Sequence, residues 1–223
     1  MTKLIVRQFS ERQIYADTWQ RMQVFTAARD EHTADELWLL EHHPVYTQGL
    51  AGKAEHVLNT GNVPVVQTDR GGQVTWHGPG QLMVYTLLDV RRLQWGARTL
   101  VSVLENMLID WLRAQSLTAF TQRNAPGVYL RGKDSAVEKI AALGLRITKK
   151  GCYHGMAINI SNDLAPFSAI NPCGIAGQAV TRLSQCLSPL PTRAEIESAL
   201  VERLASALRS TQIEWQVARL SDG

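Results

Sequence analysis

Long apolar runs are missing from this 223-residue chain. No stretch approaches the roughly 18 uninterrupted apolar residues of a membrane span. The N-terminal Met1-Thr2-Lys3-Leu4-Ile5-Val6-Arg7 has too few apolar residues before Arg7 for a signal-peptide core. The expectation is a cytoplasmic protein with no membrane partner. Cysteine is scarce: Cys152, Cys173 and Cys186 form an odd set without a C-x-x-C pair, which argues against a disulfide framework and leaves each as a buried or reactive thiol. Charge is sparse too. Charged residues make up 19% of the chain, and 23 Lys and Arg against 20 Asp and Glu leave a formal +3. No basic cluster exceeds Lys149-Lys150, so a nucleic-acid footprint is lacking. A mildly basic surface still suits an acidic protein partner.

What is present is an ordinary globular share of apolar residues, 45%, in a chain long enough to bury a core without staples. That excludes a disordered chain, a coiled coil and a collagen-like repeat. No repeat or linker divides the chain, which reads as one continuous domain over 1–223 with room for a small C-terminal lobe from about residue 185.

Strands are expected over 3–9, 37–40, 45–47, 63–66, 81–90, 128–130, 140–143 and 153–160, with an edge strand over 211–217. Ser10-Glu11-Arg12-Gln13 has capping-box spacing and predicts a helix burying Ile14, Met22 and Phe25. Leu100, Leu104, Met107, Leu108 and Trp111 recur at helical spacing. Thr192-Arg193-Ala194-Glu195 is a second capping box, opening a helix with Ile196, Leu200 and Leu204. Strands in runs, rather than alternating with helices, predict an α/β (α+β) fold: a mixed, largely antiparallel sheet with flanking helices.

Four segments carry candidate chemistry. In the first, Arg70-Gly71-Gly72-Gln73-Val74-Thr75-Trp76-His77-Gly78-Pro79-Gly80-Gln81, positions 70 to 80 hold four of the sixteen glycines. Glycine permits positive φ and close approach to backbone amides. The segment reads either as a hairpin with two tight turns or as a substrate cradle. In the second, Asn171-Pro172-Cys173-Gly174-Ile175, the proline fixes the approach to the cysteine and the glycine frees the chain to turn. This suits a thiol presented on a loop, although a lone cysteine is commonly inert core. Cys152 and Cys186 read as structural. In the third, Lys139-Ile140-Ala141-Ala142-Leu143-Gly144, a lysine enters an apolar run. It either snorkels to water or, if buried, loses some of its proton affinity. In the fourth, Tyr153-His154-Gly155-Met156-Ala157-Ile158-Asn159-Ile160, alternation gives a strand and Gly155 a close backbone approach. His154 there is either a substrate-orienting group or a satisfied core histidine.

Three motifs are set aside. Residues 127–133 (GVYLRGK) match the first seven positions of a phosphate-binding P-loop, but Asp134 follows where Ser or Thr is needed. His77, Cys152, His154 and Cys173 lack paired ligand spacing, so no metal is expected. No G-x-S-x-G elbow occurs.

The segments RGGQVTWHGPGQ, KIAALGLRI, YHGMAINI and NPCGI occur in that order. Together they resemble the lipoyl(octanoyl) transferase family, the octanoyl-[acyl-carrier-protein]–protein N-octanoyltransferases, over roughly residues 30 to 187. The resemblance implies a fold similar to biotin protein ligase and the class II aminoacyl-tRNA synthetase core. It implies transfer of an octanoyl chain from octanoyl-acyl carrier protein to a lysine of lipoyl domains, those of 2-oxoacid dehydrogenase complexes and the glycine cleavage H protein, with no cofactor. By the same resemblance Cys173 matches the acyl-thioester nucleophile and Lys139 the lysine that lowers its pKa. Arg70, Gly71, Gly72, Gln73, Val74, Thr75, Trp76 and His77 match substrate-binding positions, as do Ala142, Leu143 and Gly144, then Gly155, Met156 and Ala157. Residues 132–138 lengthen the approach to Lys139 and make Lys133 a rival for its role. Leu143, Met156 and Val74 are the expected walls of an apolar pocket. Two other readings stand beside this one. An ATP-dependent lipoate or biotin ligase would stay active as Cys173→Ala, and a non-catalytic carrier-binding module would form no covalent intermediate.

Overall fold

The computed structural model describes residues 3–132 and 135–218, with the side chain of Cys173 outside the description. Lys133 and Asp134, which bear on the rival lysine and the P-loop match, lie outside the described residues. The elements in order are β1 (Lys3–Phe9), α1 (Tyr15–Ala28), β2 (Asp35–Leu40), β3 (Val45–Gln48), β4 (Val65–Gln67), β5 (Val74–His77), β6 (Gln81–Leu87), α2 (Ala97–Ala114), β7 (Ala119–Gln122), β8 (Ala125–Arg131), β9 (Val137–Ile147), β10 (Cys152–Asn159), α3 (Leu183–Cys186), α4 (Arg193–Ala207) and β11 (Gln212–Ala218). Short 3₁₀ turns lie at Ala54–His56, Ala165–Ala169 and Pro172–Gly174.

Eight strands form one sheet in the order β11-β1-β2-β6-β10-β9-β8-β7. The β1 pairings with β11 and β2 are parallel and the other five are antiparallel, the mixed sheet that runs of strands predict. β6 and β10, at its centre, are buried along their whole length because both faces are covered. On one face α2 and α4 supply Leu100, Leu104, Leu108, Ile196, Leu200 and Leu204, all essentially inaccessible, against Val84, Met156 and Ile158. On the other, Met22 of α1 packs against Leu40, Met83 and Tyr85. A second sheet, β4-β3-β5, closes over its own cluster of Tyr46, Val74, Trp76, Phe167 and Ile170. Among the described residues no helix is long and apolar enough to cross a membrane.

The caps divide between the two predictions. Thr192 forms its box: its side chain accepts from the Glu195 N–H at 3.3 Å, and the Glu195 carboxylate accepts from the Thr192 N–H at 2.8 Å. The box expected at Ser10 does not form. The chain stays extended there, Gln13 bridging to His42 and donating its N–H to the Glu41 carbonyl at 2.8 Å, so α1 starts after Ile14 without a side-chain cap. Ile14 is consequently exposed rather than buried, while Met22 is fully buried. The strand expected over 81–90 stops at Leu87, because the Asp89 carboxylate accepts the N–H groups of Arg91 and Arg92 and turns the chain. The 63–66 strand forms as Val65–Gln67.

Replacing Leu104, inaccessible at the centre of the α2 face, with Ala should lower unfolding free energy by about 2–5 kcal/mol. Urea denaturation reads this directly, and a change below about 0.5 kcal/mol would contradict its place in the core.

Candidate active site

The glycine-rich segment is neither a bare hairpin nor a free loop. Gly72 (φ +91°) and Gly80 (φ +80°) bracket β5, which pairs antiparallel with β3. Arg70 opens the segment and folds back into it. Its guanidinium donates to the Thr47 hydroxyl at 2.8 Å, the Gln73 carbonyl at 2.8 Å and the Gly71 carbonyl at 3.0 Å. The buried arginine thereby clamps the loop against β3. The Gly71 N–H then donates to the Leu145 carbonyl at 2.9 Å, laying the loop across β9. Gly144 makes that crossing feasible, since a Cβ there would lie 2.8 Å from the Gly71 carbonyl oxygen.

Lys139 sits further back along β9. Its N–H donates to the Ala179 carbonyl at 2.9 Å and its carbonyl accepts from Thr181 at 3.0 Å, so the chain following the Pro172–Gly174 turn runs alongside β9. The lysine does not snorkel: it is 3% exposed, Nζ donates to the Pro126 carbonyl at 3.2 Å, and Nζ lies 4.9 Å from the Tyr129 ring centroid.

Between loop and strands lies a cavity of about 460 Å³, within the roughly 300–1,000 Å³ of small-molecule sites. Arg70, Gly71, Gly72, Gln73, Val74, Thr75 and His77 line it, as do Ala142, Leu143, Gly144, Gly155 and Ala157. Lys139 borders it, and so does Pro172, which precedes Cys173 in the turn. Two expected residues do not line it. Trp76 alternates away on β5 and packs edge-on against Phe167, centroids 5.8 Å apart. Met156 points into the opposite core with Val84 and Ile158, so it is no wall of the cavity. Gly155 has the close approach its place in the strand predicts, because a Cβ would collide with the Val84 carbonyl.

Beneath the cavity is a layer of buried polar groups that the sequence pattern gives only in part. His77 donates from Nδ1 to Gln81 at 2.8 Å, and Gln81 donates to Asn159 at 2.9 Å. The Thr47 hydroxyl reaches His77 Nε2 at 3.1 Å. His42 donates to the Gln13 carbonyl at 2.9 Å and accepts from the Tyr85 hydroxyl at 2.7 Å. Tyr15 stacks on His77 at 5.8 Å. His154 has φ +63°, a left-handed conformation inside a strand. Strict alternation would send its ring into the core with Met156. The twist instead turns it toward Tyr85 and Tyr153, where Nε2 donates to Asp69 at 2.9 Å. Asp69 also accepts from Trp19 at 2.8 Å, from Gln23 at 3.3 Å and from the Tyr153 hydroxyl. Sequence reading missed Asp69, Tyr15, Tyr85 and Thr47. The only local hint was Asp69 standing immediately before the glycine-rich segment; the others come together through long-range pairing.

Burial sets the charges here. It lowers His42 to about 4, moves His77 well below its ordinary value and lowers His154, the last partly offset by Asp69. Burial alone would raise Asp69, but hydrogen bonds from His154 and Tyr153 outweigh it and hold the carboxyl below the usual range. Burial pushes the Cys152 thiol up to about 11, the behaviour of an inert core thiol. Cys186 donates its thiol to the Arg182 carbonyl at 3.4 Å.

Comparison with known proteins agrees with this architecture. Residues 14–205 match the family model "Lipoyl protein ligase A/B catalytic domain". The chain is 50% identical over 214 residues, 96% of its length and 95% of the relative's, to the octanoyltransferase of Vibrio cholerae serotype O1. Its fold superposes with a TM-score of 0.69, at 13% identity over 100% of this chain and 88% of the other, on a bi-partite lipoate protein ligase of Thermoplasma acidophilum. The biotin protein ligase of Aquifex aeolicus follows at 0.50 and 13% identity, over 94% and 70% of the two chains. The chain is therefore an enzyme of the lipoyl protein ligase A/B catalytic-domain family. Within that family it belongs with the octanoyltransferases.

Because His42, His77 and His154 are neutral in the fold but take a proton near pH 6.5 in the unfolded chain, the unfolded chain binds more protons below that value. Stability should therefore fall as pH drops from about 6.5 toward 4. A urea midpoint at pH 5 clearly below that at pH 7 is expected; equal midpoints would contradict neutral burial.

Proposed function

We propose that this enzyme moves an octanoyl group from the thioester of an acyl carrier protein to a lysine of a lipoyl domain, through a thioester on Cys173. The observation that carries the proposal is that a buried amine, Lys139, and the turn bearing Cys173 border one cavity with apolar walls.

An unperturbed thiol is only a few per cent thiolate at pH 7. A neighbouring ammonium depresses its pKa, and each unit is worth about 1.4 kcal/mol. In the first half-reaction the Cys173 thiolate attacks the carrier thioester carbonyl. The C–S bond to the carrier breaks, and Lys139 gives its proton to the departing thiolate. In the second, the neutral amine of the target lysine attacks the acyl-enzyme. Lys139, now an amine, takes the proton this nitrogen sheds, the amide forms and the Cys173 thiolate is released. The cycle closes with the pair as it began. A thioester is already activated, so neither half-reaction calls for ATP.

The alkyl chain would lie between Val74, Leu143 and Ala157. At about 0.8 kcal/mol per methylene, burying six gives roughly 5 kcal/mol for selecting chain length. The acidic carrier and the lipoyl domain would reach the same mouth in turn, favoured by the mildly basic surface.

Intact-mass measurement after mixing with octanoyl-acyl carrier protein should show one octanoyl adduct, mapped to Cys173. It should be absent in Cys173→Ala and form at least tenfold more slowly in Lys139→Ala. An adduct on Cys152, or full transfer activity in Cys173→Ala, would overturn the assignment. Leu143→Trp should shift the preferred donor to shorter chains; an unchanged chain-length profile would contradict the wall assignment.

A further inference from the structure

α2 is apolar along the face it turns to the sheet, except at Glu105. This carboxylate is 7% exposed and accepts the Gly127 N–H at 2.9 Å. For the fold alone an apolar side chain would be the cheaper choice, because a buried charge without a partner costs more than it returns. Satisfying one N–H does not require a charge.

A cation lies on the far side of Gly127. A Cβ at that residue would stand 3.3 Å from Lys139 Nζ and collide with the Ala141 carbonyl, and φ there is +137°. Glycine is thus the residue that lets the amine tuck in against the same peptide whose N–H Glu105 accepts. Two further neighbours of Lys139 also favour its charged form: the Pro126 carbonyl accepts from it, and the face of the Tyr129 ring attracts a cation. Glu138, beside Lys139 on β9, places its carboxyl at Gly132 instead. Across the cavity stand Arg70, His77 and His154, none of them negative, and Cys173 belongs to the turn on the remaining side. Burial pushes the Glu105 carboxyl up, and the Gly127 N–H and the charge on Lys139 pull it back.

We propose that Glu105 is the counter-ion that holds Lys139 as the ammonium and, through it, Cys173 as the thiolate, so that the resting pair is charged rather than neutral. The inference rests on the Cys173/Lys139 reading above and specifies its resting state. Glu105 touches neither substrate nor reacting atoms and is a positioning residue.

Glu105→Gln tests it, since glutamine keeps the volume and an acceptor for Gly127 while removing the charge. The readout is the pH dependence of Cys173 alkylation by iodoacetamide, located by peptide mass spectrometry, with Tm measured alongside. The midpoint should move up in pH, slowing alkylation at pH 7 by roughly three- to ten-fold, and Glu105→Asp should restore part of the rate. A midpoint equal to that of the parent would overturn the proposal. A measurement without substitution guards against loss of fold: the Lys139 ¹⁵Nζ chemical shift in the parent protein should be that of an ammonium at pH 7, and the value of a neutral amine would overturn it. Alkylation requires no acyl transfer, so failure here is distinguishable from failure to form an octanoyl adduct.

Discussion

The structure turns on an amine kept out of water. Lys139 lies 3% exposed on an inner strand of an eight-stranded sheet, where an isolated ammonium is costly. Its surroundings answer that cost piece by piece: the Pro126 carbonyl, the Tyr129 ring, and a carboxylate beyond Gly127. The strand also bonds through its backbone to residues 179–181, fixing the chain that follows the cysteine turn against the lysine's own peptide. Moving that amine by one residue of register would send it to the opposite face of the sheet.

Around this point the cavity combines two chemistries. Val74, Leu143 and Ala157 give it apolar walls, while beneath it, among buried amides, burial keeps His42, His77 and the Tyr85 hydroxyl uncharged. Those neutral groups fix shape without adding charge, and Asp69 beside them stays ionised. Thr47 shows the economy of it, accepting from Arg70 and meeting His77 with the same hydroxyl, so the glycine-rich loop and the cavity floor are held by one side chain. The left-handed backbone at His154 is the strained element, and Asp69, with its four side-chain donors, holds the ring in place against that strain.

Much of this was legible in the residues. Apolar spacing placed α2, and Thr192 with Glu195 placed the start of α4, because both signals are local. Runs of strands without intervening helices gave the mixed sheet. The Ser10 capping box failed because a long-range pairing, Gln13 with His42, holds that backbone extended. β5 was hidden among glycines, since its partner β3 lies some thirty positions away and pairing at that distance leaves no mark in composition. For the same reason Glu105 reads in sequence as an ordinary helix position; only the packing of α2 on β8 reveals what it faces. Only the resemblance makes Met156 a wall; strand alternation puts it with Ile158 on the face opposite Gly155 and Ala157, which line the cavity.

The most direct test of the account is a crystal structure of the enzyme trapped with an octanoyl chain. Density continuous from Cys173 Sγ into the cavity between Val74 and Leu143, with Lys139 Nζ in hydrogen-bond reach of the thioester, is the result predicted. An octanoyl chain bound outside that cavity, or a Cys173 Sγ facing away from Lys139, would contradict it.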